Sequence, residues 1–452
     1  MSAARLLVPG AAEGPLLLSD TGLSFWGGVD PETGLIIDPR HPLQGATASG
    51  AVLAIPSGRG SCTASSVLLE LIHAGKEPAA LIFREEEPIL TFGALAGDAI
   101  FGRSLPVAQV TDAEFAALKG AQRVRIGDGA IETDHGVRIA LAPALTDRIA
   151  LSPRDEAMLA GAEGEARRLA MGIILRLAET FGAPALIDVT RAHLDCCIHT
   201  GPASVAVAER LRDLGGRFAV PTTLNAISTD LMCWGALGFD AHIAAESRRQ
   251  ADAYTAMGAQ PTFTCAPYLQ DPPRAGEQIA WAESNAVAFA NSVLGARTQK
   301  YPDYLDLCIA LTGRAPLAGC HEATGRKART VLAVDLPAGT DDGFYPMLGY
   351  LAGLLSPHDI AAVTGLEGSR SRDDLKAFAA AFATTSAAPM FHIVGVTPEA
   401  PTLDAVVADD AKRITVTRDD LAEAWRGLNP SPPGPVGLVA IGNPHASVEE
   451  LT

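Results

Sequence analysis

The sequence contains no uninterrupted apolar run of about 20 residues, and it therefore predicts no membrane-spanning helix. Its N-terminal stretch lacks a basic region followed by a long apolar segment, so we expect no secretory signal and a cytoplasmic location. Basic side chains are also scarce, because 35 Lys and Arg residues face 52 Asp and Glu residues and the formal net charge is −17. Nucleic acids and anionic membranes bind basic surfaces, which excludes both as expected partners. A few local Arg side chains could still hold a small anionic substrate.

The sequence has no CxxC pair, which argues against zinc ribbons and thioredoxin-type redox sites. An odd number of cysteines in a chain without a predicted secretory signal favours reduced thiols over disulfides. Folding can still bring scattered cysteines together as ligands of one cluster. We expect Cys233 and Cys308 to be core residues, because each lies in an apolar stretch with helical spacing. The seven cysteines are Cys62, Cys196, Cys197, Cys233, Cys265, Cys308 and Cys320.

The length of 452 residues, 48% of them hydrophobic, predicts a large core and two or three domains. Residues 1–147 contain short apolar runs, Ile89–Thr91 among them, separated by Gly, Pro and Asp, which indicates a small, mostly β unit. From residue 148 onward, predicted strands and helices alternate, as is typical of an α/β domain with a largely parallel sheet. This part opens with a long helix that we expect to run to about Phe181. Ser152 is its predicted N-cap, and Asp155 completes a capping box.

A lone cysteine within Thr264–Tyr268 follows a predicted strand over 262–264, and Pro267 prevents any regular element from continuing. This arrangement predicts a thiolate at the end of a strand, on a rigid turn. Polar residues then interrupt the helix that we expect over 279–294. Such groups need partners when buried, and a bound ligand is one possible partner. The region therefore predicts a site for a metal and a polar substrate. The interrupting residues are Glu283, Ser284, Asn285 and Asn291.

A loop rich in Gly and Ser, Pro56–Ser65, leads into a helix that we expect to follow Ser61 and to extend through Val67 to Ala74. Its backbone amides and hydroxyls could bind a carboxylate or a phosphate at the helix N-terminus, with Arg59 close by. The loop is not a Walker motif, because no GK[ST] follows. An ordinary N-capping turn is the alternative interpretation.

Three further segments carry candidate ligands. His193–Cys197 and Pro221–Asn225 each follow a predicted strand, at 185–189 and 217–220, and ligands bind at the carboxyl ends of strands in open α/β sheets. Gly319–Glu322 supplies a second candidate thiolate. A loop histidine, a capped turn and a buried structural cysteine are the respective alternatives. The side chains that could contact a ligand are His193, Thr222, Thr223, Asn225 and Cys320.

These segments, in this order, resemble aconitase X, a divergent branch of the aconitase superfamily, and the resemblance covers essentially the whole chain. It implies a small β-rich swivelling domain over 1–147, followed by a large aconitase-like α/β catalytic domain over 148–452 that lacks its C-terminal segment. The bacterial type fuses both domains and dehydrates cis-3-hydroxy-L-proline, whereas the split archaeal type dehydrates mevalonate 5-phosphate. The segments that carry the resemblance are Gly60–Ser65, Pro221–Asn225, Thr264–Tyr268, Trp281–Val287, Asn291–Thr298 and Asn443–Ser447.

The resemblance implies a hydro-lyase with an iron-sulfur cluster, expected to be of the 2Fe-2S type. Cys265 and Cys320 match best as its ligands, a further ligand is expected beyond Ser447 in the missing segment, and Cys62 and Cys197 are weaker substitutes. A serine of the swivelling domain would act as the base. The residues given roles on this basis are Ser65 as the base with Ser61 as its rival, Arg59 and Gly60 beside the substrate, and His193, Thr222, Thr223 and Asn225 as orienting groups.

Two alternatives stay open. The substrate could be another β-hydroxy acid such as mevalonate 5-phosphate, although the absence of a dense Lys and Arg cluster favours the amino acid. The chain could also be a binding protein without a cluster. The oligomeric state does not follow from the sequence.

Overall fold

The computed structural model describes residues 4–59, 61–142, 149–335, 340–341, 343–366, 368, 371–429, 434–439, 446–448 and 450. The chain divides into two compact units. The first contains residues 1–263, 280–282 and 301–318, and the second contains residues 264–279, 283–300 and 319–452. Among the described residues, no helix is long and apolar enough to cross a membrane.

The first unit begins with a mixed sheet of eight described strands, in the order β1-β5-β4-β3-β2-β6-β7-β8. The central strands β2 to β5 run parallel, and antiparallel pairs extend the sheet at both sides. Strands β3 and β4 are buried along their whole length, as expected for strands covered on both faces. The strands are β1 Arg5–Val8, β2 Ala12–Leu18, β3 Val52–Ile55, β4 Ala80–Phe83, β5 Val107–Gln109, β6 Arg123–Gly127, β7 Ala130–Thr133 and β8 Arg138–Ala140.

Helices accompany this sheet and continue into the rest of the first unit. Capping boxes start α3 at Thr111 and α4 at Ser152. The box of Ser152 and Asp155 confirms the prediction from sequence. The helices are α1 Ala64–Ala74, α2 Pro88–Phe101, α3 Asp112–Ala117, α4 Pro153–Leu159, α5 Glu165–Thr180, α6 Pro202–Asp213, α7 Ala241–Ala256 and, after a crossover, α9 Leu305–Thr312.

Two small sheets complete the first unit. In the first, β10 (Ala192–Leu194) lies between β11 (Thr222–Leu224) and β12 (Ala280–Trp281), and all three strands are parallel. In the second, β9 (Leu186–Asp188) pairs antiparallel with β13 (Arg314–Pro316). The carboxyl ends of β10 and β11 therefore meet at one edge.

The second unit contains a parallel sheet of four described strands in the order β16-β15-β14-β17. Helices α10 and α11 pack against each other, and α11 also packs against α8. The elements are α8 Ser284–Ser292, β14 Ala328–Val334, α10 Phe344–Leu355, β15 Ala361–Thr364, α11 Arg372–Thr385, β16 Phe391–Ile393, α12 Leu403–Val406, β17 Val407–Val416 and α13 Arg418–Leu428.

The expected long helix from Ser152 to Phe181 is wrong, because it breaks into α4 and α5. Gly161 and Gly164 adopt φ values of +80° and +98°, which a continuous helix does not permit. The expected strand over 89–91 is also wrong, because these residues lie in α2. Glu87 caps that helix by accepting hydrogen bonds from the amides of Leu90 and Thr91.

Two expected strands before candidate sites do not form. Residues 217–220 are irregular, and their amides bond to carbonyls of other elements, as Phe218 does to Met257. Residues 262–264 are irregular because Phe263 has a φ of +47°. The helix expected over 279–294 begins only at Ser284, after β12. Cys233 is exposed in a turn instead of the core, whereas Cys308 is buried as expected.

Candidate active site

The serine-rich loop before α1 presents two hydroxyls in different surroundings. Ser65 has no exposed surface, and its Oγ donates to the carbonyl of Cys62 at 2.8 Å. Ser61 is partly exposed. Its Oγ lies 3.1 Å from Oγ1 of Thr63 and accepts the Thr63 amide at 3.2 Å. The Ser61 hydroxyl therefore donates to Oγ1 of Thr63, and its oxygen accepts the Thr63 amide where α1 begins. Gly60, expected beside the substrate, lies outside the described residues.

Arg59, which was expected to face an anionic substrate, forms an ion pair in the structure. One of its terminal nitrogens lies 2.6 Å from Oδ2 of Asp38, and 48% of its side chain is exposed. The Arg40 amide and the Arg59 guanidinium lower the pKa of Asp38. The charge of Arg59 is thus already matched by a carboxylate of the chain.

A buried carboxyl group lies against the same loop. A Cβ atom added to Gly58 would lie 2.6 Å from Oε1 of Glu87, so only glycine leaves room for this carboxyl. Glu87 is 3% exposed, and burial raises its pKa to about 7, although the amides that it caps lower it. Glu87 is thus buried although it belongs to the acidic run Glu85–Glu87.

The edge formed by β10 and β11 carries a fixed imidazole. His193 is buried, and its Nδ1 lies 2.8 Å from Oγ1 of Thr223. Its ring meets Trp281 of β12 edge-on, with the ring centroids 6.0 Å apart. The structure therefore brings together two of the predicted orienting residues and sets the plane of the imidazole.

The other two predicted orienting residues bond to the protein itself. Thr222 is buried, and its Oγ1 donates to the carbonyl of Val220 at 2.9 Å. Asn225 is also buried; its Nδ2 donates to Oδ1 of Asp195 at 2.5 Å, and its Oδ1 accepts the Ala226 amide at 2.8 Å. These bonds give Thr222 and Asn225 a role in holding the strand ends.

Three buried aspartates lie next to this edge, and two of them, Asp303 and Asp306, lie outside every segment that the sequence analysis named. The Asp195 amide donates to Oδ2 of Asp306 at 2.6 Å, across 111 residues of sequence. Burial raises the pKa of Asp306 to about 7. Burial, followed by the charges of Asp195 and Asp306, raises the pKa of Asp303 well above its ordinary value. Ser66 of α1 donates to Oδ2 of Asp303 at 2.9 Å, which links α1 to the end of β10.

The two candidate thiols lie in the second unit. Cys265 is partly exposed, and its carbonyl accepts Nδ2 of Asn285 at 3.4 Å. Cys320 is buried, and burial raises the pKa of its thiol to about 12. A thiol in such surroundings ionises when it binds a metal cation, because the cation stabilises the thiolate.

The donor chemistry of Cys265 and Cys320 fits part of the ligand set of an iron-sulfur cluster, since thiolates are the usual ligands. Within the described parts of the chain, no three His, Cys, Asp or Glu side chains form a group suited to a metal ion. The expected further ligand stays a prediction, and residues 443–445 of the segment Asn443–Ser447 lie outside the described residues. The weaker substitutes, Cys62 and Cys197, are buried in the first unit.

The polar residues of α8 find partners within the protein. Glu283 caps the helix by accepting the Ala286 amide at 2.6 Å. Asn291 donates to the carbonyls of Thr298 and Pro389, both at 2.9 Å, and accepts a hydrogen bond from Arg326. For Glu283 and Asn291, the partners are thus groups of the protein, and neither side chain needs a bound ligand to satisfy it.

Three sequence models of one family match the chain. Residues 1–133 match the aconitase X swivel domain, residues 148–324 the aconitase X first domain, and residues 328–426 the aconitase X second domain. The swivel-domain match includes the serine loop, and the first-domain match includes β10, β11 and both candidate thiols.

Curated relatives align over nearly the whole chain. A cis-3-hydroxy-L-proline dehydratase from Pseudomonas aeruginosa is 52% identical, over 99% of this chain and 79% of the relative. One from Hypocrea jecorina is 50% identical, over 98% of this chain and 77% of the relative. The crystal structure of Thermococcus kodakaraensis aconitase X in its holo-form is 31% identical with a TM-score of 0.56, and it covers 62% of this chain and 69% of that chain. On this evidence the chain belongs to the aconitase X family.

Proposed function

We propose that this chain is a hydro-lyase that dehydrates cis-3-hydroxy-L-proline to Δ1-pyrroline-2-carboxylate. The observation that carries this proposal is the identity of 52% and 50% to two dehydratases of this substrate, over 99% and 98% of the chain. The α carbon loses a proton, its electron pair forms the carbon–carbon double bond, and the hydroxyl leaves with a proton as water. The resulting enamine tautomerises to the cyclic imine.

We assign the base to Ser61, the rival candidate of the sequence analysis, rather than to Ser65. A serine becomes a usable base only when its alkoxide is stabilised. The Ser61 oxygen accepts the Thr63 amide at the start of α1, where the helix dipole also favours negative charge. The Thr63 hydroxyl accepts from Ser61 in the structure, and it can rotate to donate once Ser61 has lost its proton. Ser65, in contrast, is buried, and its hydroxyl is engaged by the Cys62 carbonyl.

His193 and Thr223 are the residues that we propose to orient the substrate. Their hydrogen bond fixes the imidazole at the end of β10. An imidazole held in one orientation favours one reactive pose of the substrate beside it. The ends of β10 and β11 would be held in place by Thr222, Asn225 and the three aspartates.

An iron-sulfur cluster, proposed to be of the 2Fe-2S type, would be held by Cys265 and Cys320 together with a further ligand. When bound, it would supply a Lewis acid that helps the hydroxyl group to leave. We propose further that residues 1–147 act as the swivelling domain and residues 148–452 as the catalytic domain. We also propose a cytoplasmic location, in which the seven cysteines would stay reduced.

The test is anaerobic purification followed by iron and sulfide analysis and a turnover assay on cis-3-hydroxy-L-proline, with mevalonate 5-phosphate as the competing substrate. We expect bound iron and formation of Δ1-pyrroline-2-carboxylate only from the amino acid. Bound iron with turnover of mevalonate 5-phosphate alone would refute the substrate. An iron-free protein without turnover of either compound would favour the binding-protein alternative.

A further inference from the structure

The helix that follows the serine loop carries two buried polar side chains on one face. Ser66 and Glu70 of α1 are 2% and 4% exposed, and a spacing of four residues places them on the same side of a helix. The serine loop ends where α1 begins, at Ala64. The position of this face therefore determines where Ser61 lies.

Glu70 caps a helix that is distant in sequence. Its carboxylate accepts the amides of Ala203 and Ser204 at 2.9 and 3.0 Å, and the hydroxyl of Thr200 at 3.3 Å. These amides belong to the first turn of α6, a helix of 12 residues. The residue at its own N-cap position, Gly201, supplies no side-chain cap. A carboxylate in this place satisfies free amides and interacts favourably with the helix dipole.

Gly201 leaves the space that the Glu70 carboxylate occupies. A Cβ atom added there would lie 2.6 Å from Oε2 of Glu70, and the φ of +151° is one that other residues rarely adopt. Burial raises the pKa of Glu70, while the two amides and the Thr200 hydroxyl lower it. Both sides thus contribute to this contact: α1 supplies the buried carboxylate, and the glycine before α6 leaves room for it.

Ser66 makes a second contact on the same face. Its hydroxyl donates to Oδ2 of Asp303, a residue that is 2% exposed and lies two positions before α9. Asp303 in turn is close enough to Asp195 for the charge of Asp195 to raise its pKa. Asp195 follows β10 directly, so this contact connects α1 to the strand that carries His193.

We propose that Glu70 is a positioning residue, which docks α1 on the N-terminus of α6 and so holds the serine loop at the substrate site. This inference rests on the proposed function for its catalytic consequence. Residues 1–133 match the swivel domain and residues 148–324 match the first domain, so the contact joins the parts of the chain that supply the base and the orienting residues. Glu70 itself does not act on the substrate.

The test compares the iron-loaded wild-type enzyme with Glu70→Gln, which preserves shape but removes the charge. We expect kcat to fall about ten- to a hundredfold with KM within twofold, because small displacements of a catalytic group cost rates of this size. Amide hydrogen exchange should rise in α1 and in the first turn of α6 only. Gly201→Ala, which crowds the same carboxylate, should change kcat and exchange in the same direction.

Asp98→Asn is the matched control. It removes an ion pair of 2.9 Å between Asp98 of α2 and Arg176 of α5, which is partly exposed and also joins the two matched regions. We expect its kcat and its exchange in α1 to stay at the wild-type level.

An unchanged kcat in Glu70→Gln, or exchange that rises evenly through the first unit, would overturn the proposal. The exchange experiment also tests the docking role of Glu70 independently of the proposed function, if the wild-type enzyme does not turn over cis-3-hydroxy-L-proline. In that case the proposed function fails, a local rise in α1 and α6 still supports docking by Glu70, and unchanged exchange overturns it.

Discussion

Replacing Ser61 by alanine removes the hydroxyl oxygen that faces the amide and the hydroxyl of Thr63. If this oxygen accepts the α proton, turnover should fall by a factor of about 10² to 10⁴, the range for loss of a general base. Ser65→Ala removes a buried hydroxyl that donates to the carbonyl of Cys62 at 2.8 Å and lies 3.5 Å from that of Asp303, a loss that costs about 1 kcal/mol of stability. We therefore expect Ser65→Ala to keep turnover within about threefold of the wild type.

The assay measures formation of Δ1-pyrroline-2-carboxylate per bound iron. This normalisation distinguishes a variant that has lost its cluster from one that has lost its base. Circular dichroism checks that both variants are folded. Thr63→Val, which removes the hydroxyl that could donate to a Ser61 alkoxide, should have a turnover between those of the two serine variants. A loss of more than a hundredfold in Ser65→Ala, with nearly full activity in Ser61→Ala, would refute the assignment and return the base to Ser65.

Three further predictions concern the strand edge, the thiols and the buried acid. Thr223→Val should raise KM about tenfold with a smaller effect on kcat, because it releases the imidazole of His193; an unchanged KM would contradict this role. Cys320→Ser should lose iron after anaerobic reconstitution, whereas Cys233→Ser, at an exposed turn, should retain it; equal iron contents would contradict the ligand assignment. Burial raises the pKa of Glu87 from 4.5 to about 7, so the folded state binds the extra proton and loses stability as the pH rises through this window. The unfolding free energy of Glu87→Gln, relative to that of the wild type, should thus rise by up to about 3 kcal/mol between pH 4.5 and pH 7. Urea titration measures this difference, and a difference that does not change with pH would contradict the prediction.

The reliable predictions came from sequence patterns that span only a few residues. The capping box of Ser152 and Asp155 starts α4 where it was expected, since its hydrogen bonds span only three residues. The end of that helix was missed, because a helical pattern of apolar residues continues across Gly161 and Gly164. Likewise, three β-prone residues before Cys265 predicted a strand, but none of the described strands pairs with them and Phe263 turns the backbone.

The sequence predicted which segments contribute to the candidate site, but not how their side chains are arranged. The sequence named His193 and Thr223 as ligand-binding candidates, and the pairing of β10 with β11 places them opposite each other. It also named Thr222 and Asn225, whose polar groups turn out to bond to the protein. Alternation along a short strand does not tell which of two adjacent threonines faces a substrate, because that depends on the neighbouring elements.

By itself, the sequence determined the α/β class, the N-terminal cap of α4 and the resemblance to aconitase X, because these depend on residues within a few positions or on segments in a fixed order. Only the tertiary structure decided that Ser65 is buried while Ser61 is accessible, that three aspartates gather at the end of β10, and that Glu70 caps α6. Each of these depends on which groups meet across more than a hundred residues, as Glu70 and Ser204 do across 134. Burial and pairing at such distances are properties of the packed chain, and no local pattern encodes them.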